Sequence, residues 1–286
     1  MYYNGKKIIG MIQRVPSKEV YDNLANPNLL INGDFRVNQR GQSSYTNSGY
    51  TIDRWKLEND YGTVTVLEKG IRLSSSGSST FLVQRIEDSK YLVNKQCTLS
   101  ICLADGTIYS ATGILKEQQE SYCYINLPNN GVCRVYYYPN GYFAPTIQVS
   151  NGYSLDVLWV KLEFGPVATA NHLRLYAEEL ALCQYYLRPL YTSSVMWFAR
   201  NNTSMRTQFT ILMRTKPTLI LKNPISVFDI VSNTAKSQSE SSLIINTALT
   251  NNQSIFLSGE KFTDLTTGQI YQSNTNELIA FLDAEI

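Results

Sequence analysis

From Asn28 to about Pro166 the chain alternates apolar and polar residues in short runs, broken by clusters of Gly, Asn and Ser. Successive side chains of a strand point to opposite faces, so this pattern predicts an antiparallel β-sandwich. The runs place strands at 63–68, 80–86, 98–104, 122–127, 132–138, 146–149 and 154–164. In the last of these, Leu158, Val160, Leu162 and Phe164 fall on one face, and Trp159, Lys161 and Glu163 on the other. The period then lengthens. Tyr176, Ala177, Leu180, Cys183 and Leu187 recur at intervals of three and four, which predicts one amphipathic helix over 173–188, ended by Arg188-Pro189. Glu178 and Glu179 in its early turns and Arg188 at its end have the polarity that a helix dipole favours. Strand patterns return at 208–213, 218–221, 226–230, 243–245, 254–257, 269–271 and 278–282, with the Ser-rich stretch 232–242 between them reading as a mobile loop or a bulging tip.

These elements predict a mainly β protein: a jelly-roll β-sandwich over 27–170, a connecting helix over 171–191 and a second, smaller β domain over 192–286. Residues 1–26 read as an attachment segment, in which Ser17 can cap a single turn that carries Val20, Tyr21 and Leu24. Such a turn needs a neighbour to cover its apolar side. No heptad run is present, so sheets and the short helix must hold any oligomer.

Composition narrows the chemistry. Only 17% of the 286 residues are charged and the net charge is +2, too weak a field for the phosphate neutralisation that nucleic acid requires. The surface is instead polar and mostly uncharged, rich in Tyr, Asn, Ser and Thr. The single His172 removes every site that needs two imidazoles and reads as a loop residue. Five cysteines, an odd number without C-x-x-C spacing, read as buried thiols made in a reducing cell. The apolar run Ile8-Ile9-Gly10-Met11-Ile12 is shorter than a secretory core, and no stretch approaches the ~20 apolar residues of a membrane span. The expectation is synthesis in the cytoplasm without a signal peptide or membrane insertion. The adjacent Glu178 and Glu179 point about 100° apart on a helix and do not converge on one bond.

The stretch 122–138 is the best local candidate for binding. A two-residue turn at Asn129-Asn130 or Asn130-Gly131 puts Tyr122, Tyr124 and Tyr137 on one face, and Cys123, Ile125, Leu127 and Val132 on the other. Tyr142 and Phe143 follow in the adjoining loop. Outward rings of this kind suit the flat C–H faces of sugars, and they equally suit packing against a neighbouring subunit. A one-residue change of register would reverse the faces.

Three ordered blocks carry a family resemblance. Asn28-Leu29-Leu30-Ile31-Asn32-Gly33-Asp34-Phe35 is followed by Gln39-Arg40-Gly41 and Tyr50-Thr51-Ile52-Asp53-Arg54-Trp55. The second block runs from Asp156 to Gly165, passes Ala168-Thr169 and continues through Tyr176 to Tyr186; the third is the ending Asp283-Ala284-Glu285-Ile286. Together they resemble phage and prophage tail-fibre proteins with a carbohydrate-binding jelly roll. The resemblance implies a non-enzymatic virion protein, without a cofactor, that binds host cell-surface glycan as a homotrimer. It would join other virion proteins through residues 1–26. The alternative in the same class is a structural adaptor or a head or collar fibre that binds only other virion proteins. A glycan hydrolase would need two carboxylates about 5–9 Å apart, and the acidic residues give no sign of such a pair. Similar modules can hold a structural calcium, for which Asp34 and Asp156 are the side chains to examine; two oxygen donors do not make a site, and the metal stays unassigned. Trp55 reads as a core plug of the sandwich.

Overall fold

The computed structural model describes residues 2–3, 6–7 and 26–285, apart from 88, 195, 230–231, 233, 247–248 and 274–275. The expected turn at Ser17, Val20, Tyr21 and Leu24 lies outside the described residues, as does most of the expected attachment segment; Tyr2–Tyr3 and Lys6–Lys7 pair as a short antiparallel ribbon. The chain divides into two compact units, the first formed by Met1–Asp34 and Glu58–Arg174, the second by Phe35–Leu57 and Leu175–Ile286. Both are mainly β.

The first unit contains β1 (Gly62–Val66), β2 (Ile71–Ser75), β3 (Thr80–Val83), β4 (Gln96–Leu103), β5 (Ile108–Ile114), β6 (Ser121–Leu127), β7 (Gly131–Tyr138), β8 (Tyr142–Val149) and β9 (Ser154–Phe164). They form two antiparallel sheets, one ordered β5-β4-β9-β2-β1 and the other β6-β7-β8-β3. The chain changes sheet after β2, β3, β5 and β8, and β9 fills the gap between β2 and β4, the crossing pattern of a sandwich. Leu73, Leu99, Ile101, Val160 and Leu162 from one sheet and Leu82, Ile125, Val135, Phe143 and Ile147 from the other are buried. Burial alternates along β2 and β5, but the pattern does not predict either strand: β2 has only Ile71 and Leu73 before a serine cluster, and β5, at a sheet end, carries small and polar residues between the exposed Ile108 and Ile114.

β9 departs from the predicted split of faces. The register slips between Val157 and Trp159, so the buried line runs through Leu155, Val157, Val160 and Leu162, while Phe164 is exposed. Lys161 and Glu163 are buried as well, 3.2 Å apart. Lys161 Nζ donates to Thr169 Oγ1 (2.8 Å) and to the Ala170 carbonyl (2.8 Å), and Glu163 accepts from the Thr169 amide (2.9 Å). Each buried charge thus has the hydrogen-bond partners that offset its lost hydration. Asn28 fastens the start of the unit to the same strand: its Oδ1 accepts from Leu162 N (3.1 Å), and its Nδ2 donates to Val160 O (2.9 Å). Gly33 accepts from Val160 N at 2.7 Å, and a Cβ there would sit 2.5 Å from Val160 O, so the Asn32-Gly33 turn needs glycine for close approach.

The second unit holds α1 (Tyr176–Gln184), β10 (Leu187–Tyr191), β11 (Trp197–Ala199), β12 (Met205–Thr210), β13 (Thr218–Leu221), β14 (Ser226–Asp229), β15 (Ala235–Ser237), β16 (Leu243–Ile245), β17 (Ser254–Gly259), β18 (Ile270–Gln272) and β19 (Leu278–Asp283). A three-stranded sheet runs β10-β19-β13, and a seven-stranded sheet runs β15-β14-β18-β11-β12-β17-β16. Trp197, Met205, Ile225, Val227, Ile255, Leu257, Tyr271 and Leu282 form its core. The helix is shorter than the predicted 173–188, and Tyr176 and Leu182 are exposed. Its buried side chains are Glu179 and Cys183, one turn apart, so a polar partner replaces the expected apolar stripe. The chain is already a strand at Leu187, before the Arg188-Pro189 pair that the sequence pattern predicts as the helix end. The Ser-rich stretch is also more ordered than expected, since β15 pairs with β14 through it. Trp55 is fully buried, with its ring 5.1 Å from that of Phe35.

Candidate functional site

The hairpin β6–β7 is where local backbone chemistry decides which rings face outward. Leu127 pairs with Gly131, Asn126 with Val132 and Ile125 with Cys133, so the loop is Pro128-Asn129-Asn130 and has three residues instead of two. Asn129 and Asn130 take left-handed φ values of 54° and 52°, a conformation that Asn tolerates better than most residues. Farther along, Tyr122 pairs with Val135, so Cys123 and Tyr124 together face Arg134 in a bulge, with Cys123 at φ 51°.

Loop and bulge overturn the shared tyrosine face. Tyr137 stands opposite Phe143 with ring centroids 5.0 Å apart, and Tyr122 meets the edge of the same buried ring at 6.3 Å. Both lean on the interior side with Cys133 and Val135, which are buried. Tyr124 is 47% exposed and is separated from them by the bulge. Cys123 takes the extra bulge position, where its thiol donates to Cys97 O (3.4 Å) and is pushed up to about 12 by burial. All five cysteines are buried and free.

The outward residues of β7 are instead Arg134, Tyr136 and Tyr138, and Tyr142 pairs with Tyr138 on β8. Tyr136 meets Tyr138 edge-on at 5.1 Å, and the Tyr138 and Tyr142 centroids lie 6.4 Å apart. Arg85 Cζ is 5.3 Å from the Tyr142 centroid and 6.0 Å from that of Tyr138, and Arg134 Cζ is 6.0 Å from Tyr136. Glu58 sits 3.3 Å from Arg85 Nη2. Burial, then the Glu58 charge, raise the Tyr138 phenol above its ordinary value, so it stays protonated as a donor. The half-buried assembly offers ring faces for stacking and guanidinium and phenol groups for hydrogen bonds. Of the four tyrosines predicted, it includes Tyr142 alone. Tyr136, Tyr138, Arg85 and Arg134 were missed; Tyr136 and Tyr138 carried a signal in their spacing of two with Arg134, legible once the loop length is known.

One further predicted group has a structural partner. Asp156 forms a two-point ion pair with Arg72, with both contacts at 2.7 Å, which holds its carboxyl below the usual range. Among the described residues no three His, Cys, Asp or Glu side chains come together as a metal site. His172 is exposed in a loop.

In the second unit the most perturbed acids lie in a buried clasp. Asp53 accepts from Gln39 N (3.1 Å) and Gln39 Nε2 (2.6 Å) and lies 3.7 Å from Arg40 Nη1. Arg54 is ion-paired with Glu285, and its Cζ sits 3.5 Å over the ring of Tyr186. Burial pushes Asp53 up to about 6 and raises Glu285. With 0% and 2% of their side chains exposed, these acids hold backbone segments together and cannot meet a substrate.

Comparison of the chain with known protein families, curated proteins and solved structures finds no match.

Proposed function

We propose that the chain is a non-enzymatic virion fibre module that binds host cell-surface glycan through the outer face of the β6-β7-β8-β3 sheet. The observation that carries this reading is the row Tyr136, Tyr138 and Tyr142 on β7 and β8, interleaved with Arg134 on β7 and with Arg85 just past the end of β3. Stacking contributes about 1 kcal/mol per ring, so one site is weak. A homotrimer compensates, because linked copies raise avidity by ~10²–10⁴ without new contacts. Attachment to other virion proteins falls to residues 1–26, and the working location is the virion.

The test is a glycan array probed with the intact protein beside Tyr138→Ala and Tyr142→Ala, together with its mass by light scattering. Expected are a trimer mass and array signals lost in both variants; equal binding by all three proteins rejects the face. The second reading, a virion component that touches only other virion proteins, draws support from Ile108 and Ile114, exposed on the terminal strand β5. Array silence with a stable complex to a capsid or baseplate protein would favour it.

A further inference from the structure

The outer face of the seven-stranded sheet carries a groove that the glycan reading above does not use. It is an open groove of about 890 Å³ whose lining includes Phe198 on β11, Arg206 and Gln208 on β12, Phe256 and Ser258 on β17, and Arg200 just past the end of β11. That volume lies in the range of small-ligand sites. The strands alternate strictly here: Trp197, Ala199, Met205, Thr207, Ile255 and Leu257 are buried, so their neighbours face outward. Register then fixes who stands beside whom. Arg206 is directly opposite Phe198 on one side and Ser258 on the other, and Gln208 is opposite Phe256. Directly paired side chains have Cβ atoms about 5 Å apart and diagonal ones about 7–8 Å, so the Arg206 side chain starts between those of Phe198 and Ser258, with Phe256 on the diagonal and Gln208 two residues along its own strand.

The charge of this groove is one-sided. Its lining includes Arg200 and Arg206 but no Asp or Glu. Both arginines are exposed, and neither is in an ion pair among the described residues. An exposed arginine flanked by rings is pre-arranged for a planar anion, because its fork matches a carboxylate at two points while the rings take the apolar face of whatever carries it. Phe198, 45% exposed, leaves such a face open.

We propose that this groove binds a carboxylate-bearing sugar, with Arg206 on the carboxylate, Phe198 and Phe256 against the ring and Gln208 and Ser258 on its hydroxyls. The assignment goes beyond the glycan face of the first unit and stands independently of it.

Titration of the full chain with galacturonic acid, galactose and acetate, followed by saturation-transfer NMR, tests it. A site with these few contacts binds galacturonate in about the millimolar range, and galactose and acetate each about tenfold or more weaker. Arg206→Gln, at an exposed position, keeps the melting profile and lowers galacturonate affinity about tenfold; Phe198→Ala does the same. Equal binding of galactose overturns the role of the carboxylate, and equal binding of acetate overturns that of the ring. Absence of galacturonate binding, or binding unchanged by Arg206→Gln, overturns the site. The double variant Tyr138→Ala, Tyr142→Ala must leave galacturonate binding intact; its loss there would transfer the ligand to the first unit and end this proposal. Failure of the glycan array leaves this titration unaffected.

Discussion

Each unit brings together an arginine, a tyrosine and a glutamate, and puts the trio to a different use. In the second unit, Arg54 lies 3.5 Å over Tyr186 and pairs with Glu285, with both charged side chains 2% exposed. In the first, Arg85 lies 6.0 Å from Tyr138 and pairs with Glu58 at 3.3 Å, with 16% and 23% of their side chains exposed. The groups are the same and the dielectric is not. Out of water, a charge must find all its partners within the protein, so the buried trio is committed to holding the 35–57 segment against the chain's end. Arg85 and Glu58 are partly reached by water, which weakens what their pair contributes to stability and leaves part of each group facing outward.

The largest expected effect lies in the buried trio. Glu285→Ala leaves the Arg54 guanidinium without its carboxylate and should cost about 3–5 kcal/mol, whereas Glu58→Ala should cost at most about 1 kcal/mol. Urea unfolding of the two variants beside wild type measures both. Similar losses would erase the distinction between the regions. Replacing the pair together, Arg54→Met with Glu285→Leu, should recover much of the loss, because two packed apolar chains carry no unpaired charge.

Asp53 gives the next effect, through pH. Its folded pKa of about 6 lies above its ordinary 3.8, so between these values the folded state holds the proton more tightly than the unfolded chain. Stability from this group is therefore complete below about pH 4 and falls as pH rises through 6, by about 3 kcal/mol in all. Asp53→Asn removes the titration. The variant should gain on wild type by that amount between pH 4 and pH 7 in paired unfolding curves, and a constant difference would show that Asp53 is already ionised at pH 4.

The surface trio has a smaller effect, read in binding. Tyr138→Ala should weaken glycan attachment about tenfold per site, about 1.4 kcal/mol, in surface plasmon resonance against the best array ligand. Its effect on the urea midpoint should be far smaller than that of Glu285→Ala.

Much of this contrast could be read from the sequence, though its chemistry could not. Alternation located most strands, since a half-buried strand must alternate whatever its partners are. The blocks containing Arg40, Asp53, Arg54, Tyr186 and Glu285 stood out as a pattern, yet their convergence joins residues more than two hundred positions apart, which no local period encodes. Helix α1 was misjudged for the same reason: Glu179 belongs to the buried side only because of what the fold packs against it. On the hairpin, a single left-handed residue, Cys123, turns Tyr122 to the interior side, while Ile125 and Leu127 stay buried as alternation expects. Cysteine has no special preference for that conformation, so the sequence contained no signal for the bulge. The aromatic row then depends on register across β7 and β8, which the loop length sets.

Tyr124 supplies the smallest effect and the sharpest check of that register. If Cys123 and Tyr124 share one partner, the Tyr124 ring belongs neither to the interior pair Tyr122 and Tyr137 nor to the row centred on Tyr138. Tyr124→Ala should then change stability by less than about 0.5 kcal/mol, as substitutions at exposed positions do, and leave glycan binding at its wild-type level. Tyr137→Ala, at the ring beside buried Phe143, should cost more stability, because it removes an aromatic contact together with buried area. Were Tyr124→Ala to lower binding while Tyr138→Ala left it unchanged, the hairpin would have the two-residue turn after all, and the outward surface would be the one drawn from alternation alone.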